Sequence, residues 1–551
     1  MDINPQNRRM IPIRVTAWIG LLSIAAHQAW GGRHAMNPDG ISYLDLARNA
    51  AQGNWADTIN AYWSPMYPWL IAGVMSVTNA AASWHFAVAH GANFALFATA
   101  LAAFEYFLTQ LQLNGSSQNG VGHKAGLPGE LLLVFAYSAF AVATLKWIGL
   151  VNVTPDLAVA AVVLICSALT VAIIRHPQSA RLYWALGVAL GAAYLTKGAM
   201  LPLAPTFLAP LIIRKPTRRR SAYVALAFAV IAGPYILALS IKENEFTTGE
   251  VAKLNYAWFV NDVPVFRHWQ GSTSSGTPVH PTRLLVESPA TYEFVGPVRG
   301  TYPVWYDPSY WHEGVEIRFD AGEQWDRALE EAVQLRWMFG RLLLPLAALG
   351  VMAAIGGVTF QRVDATVLLL PCIAAIAMYS LVHVEPRFLG GFLAVSLTVA
   401  ATTVRAEGGR SRRIASGILA VAAAYYAAIS FNGPAVRIDD TQADFSITGT
   451  NPHAVAAASL KQAGISSQQP IGYIGNSFRA YWAYVGDYRI GAETRPREFW
   501  SADPESRLKV IHAMRKAGIG VVVADARRGC LRNEGWKPVA KTRLCVLRAP
   551  S

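Results

Sequence analysis

The sequence runs to 551 residues, of which 53% are hydrophobic and only 15% charged, and its mean hydropathy is positive at +0.29. Soluble domains carry about 25% charged residues, whereas the apolar residues here gather into runs near the roughly 20 residues that span a bilayer. The net charge of +13 sits in short connections between those runs and lacks interleaved aromatics, which argues against a nucleic-acid surface and matches the positive-inside distribution of a polytopic membrane protein.

In chain order, Arg8, Arg9 and Arg14 mark a cytoplasmic N-terminus beside a first apolar run at 11–30. No small-residue cleavage site follows that run, so it reads as a signal anchor. The loop 31–64 then lies outside. Farther on, Arg175 and Arg181 fix 155–174 as a descending helix, which puts 151–154 outside, makes 131–145 ascend, and places the loop 113–127 inside. An odd number of crossings must therefore join residue 64 to residue 113. Of the two apolar stretches available, 86–111 is long enough to cross and 66–77 is not. The shorter one is predicted to lie along the outer face, with Tyr62, Trp63, Tyr67 and Trp69 as interfacial aromatics.

Later crossings are predicted at 182–200, 201–213, 222–240, 342–360, 366–382, 388–404 and 414–429. Their inner loops carry Arg214, Lys215, Arg218, Arg219 and Arg220, then Arg405, Arg410, Arg412 and Arg413. The run 201–213 is short and holds Pro202, Pro205 and Pro210, tolerable only if neighbours bury it. The total is eleven crossings, with Glu105 and Lys146 as intramembrane charges. Outside lie the loop 31–64, a large acidic and aromatic segment at 241–338, and a tail at 432–551. The tail reads as a small α/β domain with helices at 452–463 and 505–517, strands at 470–474 and 519–524, and a hairpin at 536–548. Gly472 and Gly475 read as a structural turn. The fold expected is thus an α-helical transmembrane domain, 1–431, followed by an extracytoplasmic α/β domain, 432–551. Cys166 and Cys372 fall inside membrane helices as packing residues, and an oxidising compartment permits a disulfide between Cys530 and Cys545.

The densest polar motif follows the first crossing: Asn37-Pro38-Asp39-Gly40-Ile41-Ser42-Tyr43-Leu44, and then Tyr62-Trp63-Ser64-Pro65-Met66-Tyr67-Pro68-Trp69. Asp39 stands where a helix begins, a place where Asp often caps; at a membrane surface the same carboxylate can take a proton from a substrate hydroxyl. Three more motifs fall at outer ends of helices: Thr154-Pro155-Asp156-Leu157, Tyr194-Leu195-Thr196-Lys197-Gly198 and His383-Val384-Glu385-Pro386-Arg387-Phe388.

Together these motifs resemble those of the GT-C glycosyltransferases, polytopic enzymes that use polyprenyl-phosphate sugars, such as protein O-mannosyltransferases and the aminoarabinose transferases of lipid A. The resemblance implies Asp39 as catalytic base. It sets Asp156 in the second acidic motif and Lys197 in the Leu-x-Lys-Gly segment that holds the lipid phosphate. It also sets Arg387 in the Pro-Arg-Tyr-type motif, with Phe388 in place of Tyr. Tyr43, Tyr62, Asp156, His383 and Glu385 are the further substrate-side residues, and Lys197 and Arg387 the phosphate-binding ones. The implied reaction is inverting transfer to a lipid, polysaccharide or protein hydroxyl at the outer face of the inner (plasma) membrane, with no cofactor. Asp307, His312 and Glu313 match no established metal spacing, and the first loop has no Asp-x-Asp, so no obligatory metal is expected. The aromatics of 241–338 suit either sugar stacking or interfacial anchoring. The competing functions are a transporter or flippase of lipid-linked saccharides and a non-catalytic envelope-assembly protein. The first is disfavoured by the lack of paired repeats.

Overall fold

The computed structural model describes residues 5–111, 124–265, 268–361, 363–431, 449–467, 469–526 and 529–548. Most of the predicted inner loop 113–127 and the start of the tail at 432 lie outside the described residues.

Each predicted crossing contains a helix. Among the described residues, six helices are long and apolar enough to cross a membrane alone: Arg9–Gly31, Ala82–Leu111, Gly129–Ile148, Asp156–Arg175, Lys215–Lys242 and Gly408–Ser430. Met66–Thr78 has 13 residues, which at ~1.5 Å each falls short of the roughly 30 Å hydrocarbon core. Met200–Ile213 keeps Pro205 and Pro210 inside one continuous helix, packed against Ala180–Thr196 and Leu369–Ser380. The run 342–360 behaves differently from its hydropathy. Its helix is confined to Leu344–Ala354, bent by 87° from a preceding helix, Ala321–Phe339, and followed by the strand Val358–Phe360. The pair Gly356-Gly357, with Gly356 at φ +77°, breaks the helix where apolarity alone continues.

Close packing of the bundle depends on missing side chains. A Cβ on Gly187 would lie 2.4 Å from the Val224 carbonyl oxygen, and one on Gly391 would lie 2.9 Å from Ala160 Cα. Both glycines let helices approach backbone to backbone, as small residues do in membrane bundles. Of the intramembrane charges, Glu105 is paired with Arg14 of the first helix and accepts the Tyr137 hydroxyl. Lys146 lies in a π-helical turn, Val142–Ile148, that ends the Gly129–Ala141 helix.

Basic connections gather at one end of the bundle. There Arg175 and Arg214 lie 4.0 and 3.7 Å from Asp364, and Arg405 enters a small antiparallel sheet of Lys124–Gly126, Val404–Glu407 and Val358–Phe360. The opposite end carries Pro38–Ala51, the large loop and the tail.

The tail's sheet is not made by the tail alone. Seven strands run in the order Arg283–Val286, Thr291–Glu293, Ile490–Thr494, Ile471–Ile474, Val521–Asp525, Leu544–Arg548, Lys537–Pro538. The first two come from the large loop, and Ile471–Ile474 pairs parallel with both neighbours. Loop and tail are therefore welded into one body. It is seated on the bundle by Arg48, which pairs with Asp487 at 2.8 Å and stacks on the Tyr484 ring at 3.9 Å. Cys530 and Cys545 form a disulfide across 15 residues. Opening it by Cys530→Ser is expected to destabilise the sheet domain by about 3 kcal/mol, the value for a loop of this size. Thermal unfolding, with Cys545 labelling as the local probe, reads the loss.

Candidate active site

The helix Pro38–Ala51 begins the site. Pro38 occupies its first turn, where no amide donor is needed, and Asn37 takes the capping position. Asn37 Oδ1 accepts from Val153 N at 2.9 Å and makes no capping bond to its own helix. Asp39 Oδ1 accepts from Trp305 Nε1 at 3.3 Å, and its Oδ2 lies 3.6 Å from Arg387 Nη2.

Asp156 opens a second helix, Asp156–Arg175, and it too does not cap. Its carboxylate accepts from Thr154 Oγ1 at 2.8 Å and Lys197 Nζ at 2.7 Å, and it pairs with Arg387 Nη1 at 3.4 Å. Lys197 stands just past Ala180–Thr196 in extended backbone, where Gly198 N donates to Ser64 Oγ at 3.0 Å. Its Nζ lies 3.8 Å from the centroid of the Phe388 ring, a cation–π contact for which no hydroxyl is needed. Arg387, in the first turn of Pro386–Thr403, donates from Nε to Glu385 Oε2 at 2.6 Å. Four separate chain segments thus bring Asp39, Asp156, Lys197, Glu385 and Arg387 into one cluster.

Exposure separates the two aspartates. The Asp156 side chain is 1% exposed and enclosed by its partners, whereas Asp39 is 24% exposed. Burial pushes the Asp39 carboxyl above the usual carboxylate range, opposed by Arg387 and reinforced by Glu385. Burial would also raise Glu385, but Arg387 and His383 hold it well below that range. For His383 burial favours the neutral ring, yet hydrogen bonds to Glu331 and Glu385 outweigh it and keep the ring's pKa above its ordinary value. Asp39 is thus a partly exposed carboxylate with Arg387 beside it, and Lys197 and Arg387 meet on Asp156. Those cations already have carboxylate partners, so an incoming anion would share donors that Lys and Arg keep in reserve.

The predicted aromatic residues form a wall beside Asp39. Tyr43 is buried with its ring 5.0 Å from Trp63 and 5.1 Å from Tyr67, while Tyr62 packs on Trp63, Trp258 and Trp305. The Tyr62 hydroxyl donates to Asn255 Oδ1 at 3.4 Å. Trp258, Tyr302, Trp305 and Trp311 of the large loop are themselves buried, packed as a core under the sheet body, so these rings are neither an open sugar platform nor a lipid anchor. A clamp of hydrogen bonds to the Trp305 carbonyl, from Ser42 Oγ at 2.8 Å and Trp63 Nε1 at 3.0 Å, fixes the indole that reaches Asp39. From the tail, Phe478 closes over the same indole at 5.1 Å.

Asp307, His312 and Glu313 diverge. Asp307 accepts from Ser309 Oγ and Tyr310 N, His312 stacks on Trp269, and Glu313 pairs with His280 at 3.0 Å. Among the described residues, no group of three or more His, Cys, Asp or Glu is gathered as metal ligands would be.

Sequence reasoning missed Trp305, Phe478 and an ion pair on Ala321–Phe339, the half-buried Arg327 and the buried Glu331, which reaches His383. Trp305 stood in a visible aromatic motif, but nothing in its spacing sets it apart from its neighbours.

No protein family and no curated protein matches the sequence. Solved structures do share the fold. ArnT from Cupriavidus metallidurans bound to undecaprenyl phosphate superposes with a TM-score of 0.54 at 13% identity, over 98% of both chains. The same protein in its apo state gives 0.51 at 13% identity, over 97% of this chain and 98% of that one. An oligosaccharyltransferase from Archaeoglobus fulgidus, in complex with Zn and sulfate, gives 0.53 at 12% identity, over 92% of this chain and 68% of the other. The chain thus shares its fold with ArnT and with the oligosaccharyltransferase.

Proposed function

We propose that the chain is a membrane glycosyltransferase that moves a sugar from a polyprenyl-phosphate donor to an acceptor hydroxyl on the extracytoplasmic face. The observation that carries this reading is the convergence of Asp39, Asp156, Lys197 and Arg387 at the end of the bundle opposite the basic loops. Its support in the fold is the likeness to ArnT, a protein solved with undecaprenyl phosphate bound. A lipid-linked donor follows from the location, because nucleotide sugars are cytoplasmic.

In the reaction Asp39 takes the proton of the acceptor hydroxyl as that oxygen bonds to the anomeric carbon. The bond from that carbon to the phosphate oxygen breaks on the opposite face, so configuration inverts and polyprenyl phosphate departs. Lys197 and Arg387 stabilise the charge that grows on the leaving phosphate, and Asp156, enclosed behind them, holds both cations in place. Tyr43, Tyr62 and Trp305 shape the wall beside the base.

The test is release of polyprenyl phosphate from a panel of polyprenyl-phosphate sugars by the purified chain, followed against pH. Because the base must be ionised and burial raises its pKa, kcat/KM is expected to fall on the acid side at a pH above the usual carboxylate range. Arg387→Gln removes the cation that opposes the rise, so the acid limb moves to still higher pH. No release from any donor in the panel would overturn the reading.

A further inference from the structure

The helix Ala321–Phe339 has one buried residue along its 19 positions, and that residue is a carboxylate, Glu331. Its side chain is 4% exposed. Burying a charge is costly unless its partners are arranged for it, and an apolar side chain would hold a helix in place at least as well. Other contacts already tie this helix to the bundle, including Gln324 Nε2 donating to Leu381 O at 2.7 Å and Arg327 Nε to Val382 O at 2.7 Å.

Glu331 works instead on the turn that carries Arg387. Its Oε2 accepts the Val384 amide at 3.0 Å, and its Oε1 faces His383 Nδ1 at 3.3 Å and the Arg327 guanidinium. His383 Nε2 in turn faces Glu385 Oε1 at 3.4 Å, and Glu385 fixes Arg387 Nε at 2.6 Å. Arg387 then reaches Asp39 and Asp156. A continuous chain of charged contacts runs from the large loop to Asp39.

We infer that Glu331 is a positioning residue for the site: by pinning the backbone of Val384 and the ring of His383, it orients the Glu385–Arg387 pair against Asp39. It couples the large loop, which also builds part of the sheet body, to the groups proposed to act on the donor phosphate. The inference rests on the glycosyltransferase reading for its effect on rate, but its geometric half stands without it. The groups facing His383 are Glu331 and Arg327 from one helix, Glu385 from its own turn, and the rings of Phe259, stacked at 4.3 Å, and Phe388.

Two readouts on the full-length chain test it. In the 15N-histidine spectrum, with His383 assigned by its loss in His383→Gln, Glu331→Gln is expected to lower the pH at which His383 titrates by about one unit, the usual effect of removing one close opposite charge. In the transfer assay the same variant is expected to lower kcat about tenfold or more, with donor KM within about twofold, the pattern of a misplaced catalytic group. Glu331→Leu, which keeps the helix packed by apolar contact but leaves the Val384 amide without its acceptor, is expected to lose kcat equally with only a small fall in melting temperature. An unmoved His383 titration in Glu331→Gln overturns the inference whether or not the chain transfers sugar. Wild-type kcat in both variants, or loss only in proportion to unfolded protein, overturns it as well. A moved titration in a chain that transfers no sugar overturns the glycosyltransferase reading alone.

Discussion

Asp39→Asn is expected to lower sugar transfer by about two to four orders of magnitude, the usual contribution of a general base, while the protein inserts and folds as before. Asn is isosteric and keeps an oxygen for Trp305 Nε1, so the indole remains in place. Arg387 loses one of three carboxylate neighbours and keeps Glu385 at 2.6 Å and Asp156 at 3.4 Å. The variant therefore separates chemistry from architecture. The checks are kcat for polyprenyl phosphate release and, alongside it, a melting temperature within a degree or two of wild type. A side chain that served only to cap its helix would give the reverse pattern, a small loss of stability with transfer intact.

The second large effect is expected at Lys197, and it has two parts. Lys197→Met strips the nearest cation, 2.7 Å away, from an Asp156 carboxylate that is almost wholly enclosed. A buried charge left without its partner costs about 3–5 kcal/mol. Arg387 remains 3.4 Å from Asp156, which puts the expectation near the lower bound. Adding Asp156→Asn removes the stranded charge, so the double variant is expected to recover most of that stability. It is not expected to recover transfer, because the group proposed to meet the leaving phosphate is still missing. Thermal unfolding and the transfer assay on the two single variants and the double variant make a complete cycle. Recovery of activity together with stability would reduce Lys197 to a structural counter-ion.

How much of this was visible in the sequence depended on the strength of the physical constraint behind each feature. Bilayer thickness imposes a length on apolar runs, and charge bias imposes a side, so the helices and the clustering of the four motifs at one end could be read directly. The shortness of the run 66–77 was legible for the same reason, and its helix, Met66–Thr78, has 13 residues. The run 342–360 misled because hydropathy averages over Gly356-Gly357, where the backbone turns out of the helix. The tail's own strands were partly legible, but the entry of Arg283–Val286 and Thr291–Glu293 into its sheet was not, since pairing across about two hundred residues leaves no local trace. Glu331 was invisible for a related reason. In Leu329-Glu330-Glu331-Ala332 nothing in the sequence sets one carboxylate apart from the other, and only the fold shows that one of them turns inward onto His383. Phe388, where the resembling motif has Tyr, found its use in the structure as a ring under Lys197.

The most direct measurement compares the glycolipids, surface polysaccharide and glycoproteins of a deletion strain with those of strains complemented by the wild-type chain or by Asp39→Asn, using mass spectrometry. The expected result is one sugar residue that is missing from the deletion strain, restored by the wild-type chain, and still missing with Asp39→Asn; its identity and attachment would name donor and acceptor together. Identical profiles in all strains, or full restoration by Asp39→Asn, would contradict sugar transfer at this site.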